Sequence, residues 1–162
     1  MLIWFAALSI AGTFLVFRDA ALDYRLVALG AVLADPIDAV ITGDRAGPMH
    51  TLAVATVVLG GIMVSTTHRR RVRRRLLGLS IGVAAHLVLD GAWALTETFW
   101  WPGYGTGFTS RLPVVARGLV VGLVAEAIGV AVAAWLYRRF GLADAGRRNT
   151  FVRTGRLDRS IV

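Results

Sequence analysis

Five long apolar runs, separated by short polar or basic segments, constrain the fold of this chain more than any other feature of its sequence. The runs cover residues 1–17, 22–41, 50–67, 76–95 and 112–137. A helix that crosses the hydrocarbon core of a bilayer needs about 20 predominantly apolar residues, and 56% of the 162 residues here are hydrophobic. The sequence therefore predicts an all-α fold, a polytopic membrane bundle of about five transmembrane helices. Pro36 lies inside the second run, and we expect it to break or kink that helix.

The basic residues predict how these helices are oriented. All eighteen are arginines, and most of them flank the apolar runs. Six lie within residues 68–75 and seven within the tail that begins at Arg138, and such an excess of positive charge marks cytoplasmic segments. We therefore expect a multi-pass protein of the cell (inner) membrane, with its N-terminus outside and its C-terminus inside. Residues 1–140 would form one transmembrane helical domain, and residues 141–162 a solvated, basic cytoplasmic tail.

The net charge of +8 raises the question of an anionic partner. Because the arginines border apolar runs, we attribute the charge to topology and to contact with membrane lipid, and we expect no nucleic-acid partner. The chain contains no cysteine. This excludes disulfides, thiolate zinc sites and cysteine nucleophiles.

Histidine and aspartate side chains converge on the outer half of the predicted bundle. Asp35 and Asp38 lie near the outer end of the second run, and His50 begins the third. His86 and Asp90 stand four residues apart in the fourth run, so a helix would place them on one face. Imidazole and carboxylate groups are the usual ligands of zinc, and they also bind manganese and iron. We predict that these five residues bind one or two divalent metal ions, most simply zinc, with Asp38 either as a further ligand or as the general base.

The same residues also have purely structural explanations, which the sequence leaves open. Asp35-Pro36-Ile37-Asp38 has the pattern of a helix start, with an N-cap residue, a proline at the first position and an acidic residue at the third. His50 can be an interfacial residue near a helix start. His86 and Asp90 can form a hydrogen bond between successive helical turns.

Other polar residues extend the predicted site. Arg45, Arg111 and Arg117 fall on the outer side, where guanidinium groups suit an anionic head group of a substrate. Glu126 lies in the middle of the fifth run, where an ionisable residue indicates function. Glu126 and Thr51 are therefore candidates for groups that hydrogen-bond to the metal ligands.

Three short elements of the chain resemble the motifs of one family. Leu33-Ala34-Asp35-Pro36-Ile37-Asp38 is similar to an early Leu-Pro-Asp-x-Asp-His element, and Arg45 to Thr51 is similar to an Arg-x-x-Thr-His-Ser element. His86-Leu87-Val88-Leu89-Asp90 matches a His-x-x-x-Asp element, and Trp101-Pro102 follows it at the distance of a later Trp-Pro. Over roughly residues 25–105 the chain thus resembles the YdjM-like membrane-bound metal-dependent hydrolases, also called LexA-binding inner-membrane hydrolases.

The chain differs from the family pattern in the first two of these elements. The early aspartates are three residues apart rather than two, and no histidine follows Asp38. Arg45 stands five residues before His50 rather than four, and a threonine replaces the serine. His50, His86 and Asp90 match without change, so the resemblance implies that these three hold a metal ion.

These observations lead to one functional expectation and two alternatives. We expect a membrane-embedded, metal-dependent hydrolase with an outward-facing His/Asp site, acting on a lipid or a lipid-linked phosphate. The first alternative is a non-catalytic membrane protein, a transporter subunit or an interaction protein, whose His/Asp cluster binds an ion structurally. The second is regulation through a cytoplasmic protein partner at residues 68–75, as the family's LexA-binding name implies.

Overall fold

The computed structural model describes residues 1–161, apart from the side chains of Val114 and Val115, and this part of the chain forms eight α-helices. They are α1 (Leu2–Phe17), α2 (Tyr24–Thr42), α3 (Leu52–Ser65), α4 (Arg70–Leu89), α5 (Thr96–Phe99), α6 (Pro113–Ala116), α7 (Gly118–Arg139) and α8 (Ala145–Thr154). Single 3₁₀ turns lie at Pro48–His50, Ala92–Ala94 and Arg159–Ile161. Among these residues, one isolated bridge between Arg45 and Arg111 is the only β-type pairing. The predicted all-α fold is confirmed.

The lengths of the helices bear on the predicted membrane spans. Within the described residues, α7 is the one helix that is long and apolar enough to cross a membrane, with 22 residues. α1 and α3 are apolar but shorter, with 16 and 14 residues. α2 carries two aspartates and α4 five arginines, which lower the hydropathy of both helices. One spanning helix is therefore found by length and composition, and the polytopic arrangement stays a prediction.

Of the break or kink expected at Pro36, the break does not occur. α2 runs without interruption from Tyr24 to Thr42, with Pro36 inside it. A proline removes one hydrogen bond of the helical ladder and crowds the preceding turn. The remaining bonds and the packing of α2 against α4 keep the 19-residue helix continuous.

The predicted boundaries of the fourth helix, residues 76 and 95, were both wrong. α4 begins at Arg70 rather than at residue 76, because arginine has a high helix propensity, and it ends at Leu89 rather than at residue 95. The arginines at 70–75 therefore lie in the first turns of a helix and not in a loop. Asp90 is the residue that follows the last turn of α4, and its backbone N–H still bonds to the carbonyl of His86.

Glycines bring α2 and α4 into backbone contact. A Cβ atom at Gly82 would lie 2.1 Å from the carbonyl oxygen of Val27, and one at Gly30 would lie 2.2 Å from that of Leu79. A Cβ at Gly78 would lie 2.7 Å from the carbonyl oxygen of Asp23, the residue just before α2. Only a residue without a side chain fits at these points, and small residues of this kind allow helices to approach closely. The α2–α4 pair makes the most extensive helix contact and forms the centre of the bundle.

The remaining helices surround this pair. α1 packs against α2 and α7, and α3 lies against α4. The end of the bundle that carries most of the arginines contains a hydrophobic cluster, which includes Phe14, Tyr24, Phe140, Leu157 and Ile161. The last two of these belong to the tail, which also forms α8. The segment after residue 140 is thus packed onto the bundle in part, whereas the sequence had predicted a solvated tail.

Asp23, buried just before α2, joins three segments of the chain. Its carboxylate accepts hydrogen bonds from Arg25 at 3.1–3.2 Å and from the Nε of Arg75, in α4, at 3.0 Å. Arg25 also donates to the carbonyl oxygen of Val152, in α8, at 2.7 Å. One buried carboxylate therefore connects the first turns of α2 and α4 and, through Arg25, the tail.

The pKa values of Asp19 and Asp23 depend on the arginines beside them. Burial of the Asp23 carboxyl opposes its ionisation, but hydrogen bonds from Arg25 and Arg75 and their positive charge outweigh the burial, and they lower its pKa below the ordinary 3.8. Burial likewise opposes the ionisation of Asp19, and its hydrogen bonds with Arg74 and the Ala21 backbone lower the pKa of that carboxyl. Both aspartates therefore stabilise the fold when ionised. Their contribution is complete above a pH of about 4 and is lost as the pH falls through the lowered pKa of the folded state.

Gly82→Ala tests the close contact between α2 and α4. The added methyl group overlaps the Val27 carbonyl, so we expect the free energy of unfolding to fall by about 1–3 kcal/mol, measured by denaturation of the purified protein. Gly12→Ala is the matched control, because a Cβ there has nothing within 4 Å, and alanine favours a helix over glycine. Equal losses in the two variants would contradict the contact.

Asp23→Asn tests the ion pairs that join α2, α4 and the tail. Asp23 is buried, but Arg25 and Arg75 are 34% and 57% exposed and stay solvated without it. Loss of the charged hydrogen bonds should therefore cost about 1–2 kcal/mol at neutral pH. The stability difference between wild type and variant should shrink below about pH 4, where the wild-type carboxyl also becomes neutral. Thermal unfolding between pH 7 and pH 3 measures this, with Asp44→Asn as control at a carboxyl that is 64% exposed. A difference that does not change with pH would rule out the proposed ionic origin.

Candidate metal centre

His50 is held by the loop between α2 and α3. The 3₁₀ turn at Pro48–His50 directs its ring against Asp38, whose Oδ2 lies 2.6 Å from His50 Nδ1. The same carboxylate accepts hydrogen bonds from the backbone N–H groups of Gly47 at 2.7 Å and Met49 at 3.0 Å. A carboxylate only accepts hydrogen bonds, so Nδ1 carries a hydrogen, and in the neutral ring Nε2 keeps a free lone pair for a metal ion.

His86 is oriented in the same way by a different acceptor. Its Nδ1 lies 2.7 Å from the carbonyl oxygen of Ala31 in α2, and a carbonyl oxygen also only accepts. The ring of Phe5 packs over the imidazole, with 4.3 Å between the ring centroids. Both histidines are fully buried. His86 therefore also presents the lone pair of its Nε2 to the interior.

Four potential ligand atoms meet at one point. The Nε2 atoms of His50 and His86 lie 3.3 Å apart. Asp35 Oδ1 lies 3.4 Å from the first of these nitrogens and 3.6 Å from the second, and Asp90 Oδ2 lies 3.3 Å from His50 Nε2. One ligand atom from each of the four residues lies within 4.8 Å of the other three. Three separate segments, α2, the loop before α3 and the end of α4, supply this group.

The polar atoms of this group lack the partners that burial requires. Within the described residues, Asp35 Oδ1 and Asp90 Oδ2 are buried without a hydrogen bond, whereas Asp90 Oδ1 forms an ion pair with Arg117 NH1 at 3.1 Å. When both rings are neutral, their Nε2 lone pairs face each other and repel, and buried carboxylate oxygens without partners are costly. A cation at the centre would relieve both costs.

The distances fit a divalent metal ion. Bonds of about 2.0–2.1 Å from zinc to nitrogen and oxygen, arranged tetrahedrally, separate the ligand atoms by about 3.3–3.4 Å. Four of the six separations between ligand atoms, at 3.3–3.6 Å, are close to this, and the other two lie within 4.8 Å. Two neutral imidazoles and two carboxylates also balance a charge of +2. Asp35, His50, His86 and Asp90 can therefore hold a metal ion, as the sequence predicted, although the identity of that metal is not defined by these distances alone.

Asp38 has a different position from the one predicted. Its side chain is fully buried behind His50, and both of its oxygens already accept hydrogen bonds. It is therefore neither a fifth ligand nor placed to act as a general base. A carboxylate that accepts from the far nitrogen of a ligating histidine fixes the ring and increases its basicity. The hydroxyl of Thr51 does not hydrogen-bond to a ligand in the described contacts: it donates to the carbonyl oxygen of Pro48 at 2.8 Å and caps α3 by accepting from Val54 N at 3.0 Å.

The predicted substrate-binding arginines separate into two groups. Arg117 lies at the centre, where its NH1 is 3.1 Å from Asp90 Oδ1 and its NH2 donates to the Asp90 carbonyl oxygen. Arg45 and Arg111 pair through their backbones in the isolated bridge, and both side chains are exposed. Arg111 lies 3.9 Å from the Asp44 carboxylate. Binding of a substrate by any of the three stays a prediction.

Glu126 does not join the metal centre. Its carboxylate accepts hydrogen bonds from the backbone N–H groups of Ile3 at 3.0 Å and Trp4 at 3.3 Å. The first turn of a helix leaves such donors unsatisfied and attracts negative charge. The predicted role of Glu126 behind the ligands was wrong, because this residue binds the start of α1.

The structure also decides between the alternatives for the ligands. Asp35 and Asp38 lie in the interior of α2, so they do not start a helix. In the described contacts, the His86 ring hydrogen-bonds to α2 and faces His50, and no hydrogen bond joins it to the Asp90 carboxylate. Both residues therefore face the common centre rather than only each other.

Two contributions to the centre were missed by sequence reasoning. The first is the carbonyl of Ala31, which reaches His86 because α2 and α4 touch. The spacing Gly78-x-x-x-Gly82 is a signal that could have revealed this contact. The second is Phe5, for which the sequence offers no signal, because many apolar residues in α1 were equivalent candidates.

No family model, no curated protein and no solved structure matches this chain. The resemblance to the YdjM-like hydrolases therefore stays a prediction. The assignment of the metal centre depends only on the geometry described above.

Asp38→Asn tests how His50 is oriented. The amide keeps the size of the side chain but weakens its hold on Nδ1, and loss of such a partner typically lowers metal affinity about 10–100-fold. Competition with a chelator measures the zinc affinity of the purified variants. Asp44→Asn is the matched control on the adjacent loop and should bind zinc like the wild type. An unchanged affinity in Asp38→Asn would contradict the role given to Asp38.

Proposed function

We propose that this protein is a membrane-embedded, metal-dependent hydrolase whose site opens toward the outer side of the membrane. The observation that carries the proposal is the meeting of four ligand atoms, one each from Asp35, His50, His86 and Asp90. The two carboxylate oxygens are buried without a hydrogen-bond partner, and the two imidazole Nε2 atoms face each other at 3.3 Å. A divalent metal ion would bind all four atoms at once.

The exposed apolar surface supports the membrane part of the proposal. Leu119, Val120 and Leu123 of α7 are 61–78% exposed, and within α3 every apolar side chain except Ile62 is at least partly exposed. Apolar surface of this extent is not typical of a monomer in water. Lipid would cover it in a bundle of about five helices with an outer N-terminus and a cytoplasmic C-terminus, which is the orientation that the arginines favour.

The residues around the centre support hydrolysis of a phosphate or an ester. A divalent ion held by the four ligands would polarise a phosphoryl or acyl oxygen. Asp35 is the only one of the four ligands with appreciable exposure, at 16%, so a substrate and a water molecule would approach from its side. Its second carboxylate oxygen is the group that would accept a proton from the attacking water. The positive charge of Arg117 beside Asp90 suits a phosphoryl group, and the membrane position favours a lipid or a lipid-linked phosphate.

A second function, structural binding of the ion, is favoured by one observation. The centre offers four protein ligands, and His50, His86 and Asp90 are almost completely buried. Closed four-ligand sites are typical of structural zinc, whereas catalytic zinc usually keeps one position open. In this case the ion would stabilise the contact between α2 and α4, and the protein would not catalyse a reaction.

Metal analysis tests the centre that both functions share. The purified wild type should contain about one divalent ion per chain, and His86→Ala with Asp90→Ala should contain almost none. His68→Asn is the control, because it removes an exposed imidazole and asparagine tolerates the positive φ of 69° found there. Equal metal content in the wild type and the double variant would rule out both functions.

An activity screen separates the two functions. Metal-loaded protein in lipid nanodiscs would be assayed for release of phosphate from lipid phosphates and for cleavage of ester substrates. A hydrolase should lose activity about 100-fold or more in Asp35→Asn, while His68→Asn remains active. Full metal content without turnover of any of these substrates would exclude the hydrolase and favour the structural ion.

A further inference from the structure

The arginine-rich end of the bundle carries a charge that the protein does not neutralise. Segments 18–25, 68–75 and 138–161 contain fifteen arginines but only four acidic residues. α4 begins within this region without an acidic residue in its first turn, so the positive end of its dipole adds to the charge. This end of the molecule therefore needs anions from outside the described chain.

A cavity of about 420 Å³ lies in this region, between α2, α4 and the segment that follows α8. Three arginines and three apolar residues line it: Leu26, Arg71, Val72, Arg75, Leu76 and Arg156. The cavity is thus charged and apolar at once. It lies at the opposite end of α4 from His86 and Asp90, so it is separate from the metal centre.

The arginines of the cavity are available to an anion. No carboxylate of the described residues lies within ion-pairing distance of Arg71 or Arg156. Arg75 donates its Nε to Asp23 at 3.0 Å, which fixes the side chain and leaves its two terminal nitrogens without an acceptor among these residues. Arg71 and Arg75 are four residues apart in α4 and share one face. Three guanidinium groups therefore border one cavity, and one of them is already held in place.

We propose that this cavity binds the phosphate of an anionic phospholipid at the cytoplasmic surface of the membrane. Arg71, Arg75 and Arg156 bind the phosphate oxygens, since guanidinium groups form paired hydrogen bonds with phosphate. Leu26, Val72 and Leu76 contact the adjoining part of the lipid. Basic cavities between membrane helices on the cytoplasmic side are suited to acidic head groups.

The lining favours a phospholipid over free phosphate. A small inorganic anion would use the three arginines but would leave Leu26, Val72 and Leu76 in contact with water. A phospholipid covers both kinds of surface. The inference relies on the membrane location in the proposed function, but it does not depend on the metal centre or on turnover.

Arg156 gives the binding a structural consequence. It belongs to the tail, whereas Arg71 and Arg75 belong to α4. A phosphate between them would bridge the two segments and add to the link that Arg25 makes to Val152. Binding of the lipid should therefore stabilise the folded protein, because a ligand that binds only the folded state raises its melting temperature.

The experiment measures lipid binding and melting temperature in an uncharged detergent. The purified protein would be titrated with phosphatidylglycerol, with phosphatidylcholine of the same acyl chains, and with inorganic phosphate. We expect phosphatidylglycerol to raise the melting temperature and to remain bound in native mass spectrometry, with much smaller effects of the other two. Arg71→Gln with Arg156→Gln should weaken phosphatidylglycerol binding by about tenfold or more, because the phosphate loses two of its three guanidinium partners.

A matched pair of substitutions separates the cavity from general attraction to charge. Arg70→Gln with Arg153→Gln removes the same charge from α4 and from the tail, but neither residue lines the cavity. This control should bind phosphatidylglycerol like the wild type. Equal weakening in both double variants would overturn the proposal, as would equal stabilisation by phosphatidylcholine or inorganic phosphate. A His86→Ala variant should still bind the lipid. The lipid-binding result can therefore be told apart from a loss of metal binding.

Discussion

The backbone contact between α2 and α4 is the constraint on which the metal centre depends. Gly30 and Gly82 let the two helices approach until a carbonyl of one reaches a histidine of the other. The 2.7 Å contact between His86 Nδ1 and the Ala31 oxygen exists only at that separation. It fixes which nitrogen of the ring carries the hydrogen, and hence which one faces the other ligands. The small size of Gly30 and Gly82 thus determines which ring nitrogen of His86, one helical turn beyond Gly82, can bind a metal ion.

Charge explains why this constellation is tolerable in an apolar bundle. Asp35, Asp38 and Asp90 contribute three negative charges, and Arg117 beside Asp90 contributes one positive charge. A divalent ion makes the sum zero, which is the arrangement that a medium of low polarity favours. The two histidines differ in their supporting acceptors, a carboxylate for His50 and a neutral carbonyl for His86. His50 is therefore the more strongly electron-donating ligand of the two.

The fold class and the four ligands could be predicted from sequence because both depend on local pattern. Apolar runs define helices, and the positions of Asp35, His50, His86 and Asp90 along those runs place them at a similar depth. The role of Asp38 could not be predicted, because it depends on how a loop folds back over α2. The role of Glu126 could not be predicted for a related reason: its contact with the start of α1 forms only in the assembled bundle. The prediction placed the start of the fourth helix at residue 76 because the preceding arginines have low hydropathy. Their helix propensity is high, so the helix begins at Arg70.

The positions of the ligands along the chain also have a consequence for biosynthesis. All four of them, together with Asp38 and Ala31, lie between residues 31 and 90. α7 and the tail supply no ligand, although Arg117 later contacts Asp90. During synthesis the complete ligand set is therefore available before α7 has been made. An ion bound at that stage would hold α2, the following loop and α4 together while the last helix and the tail are still being added.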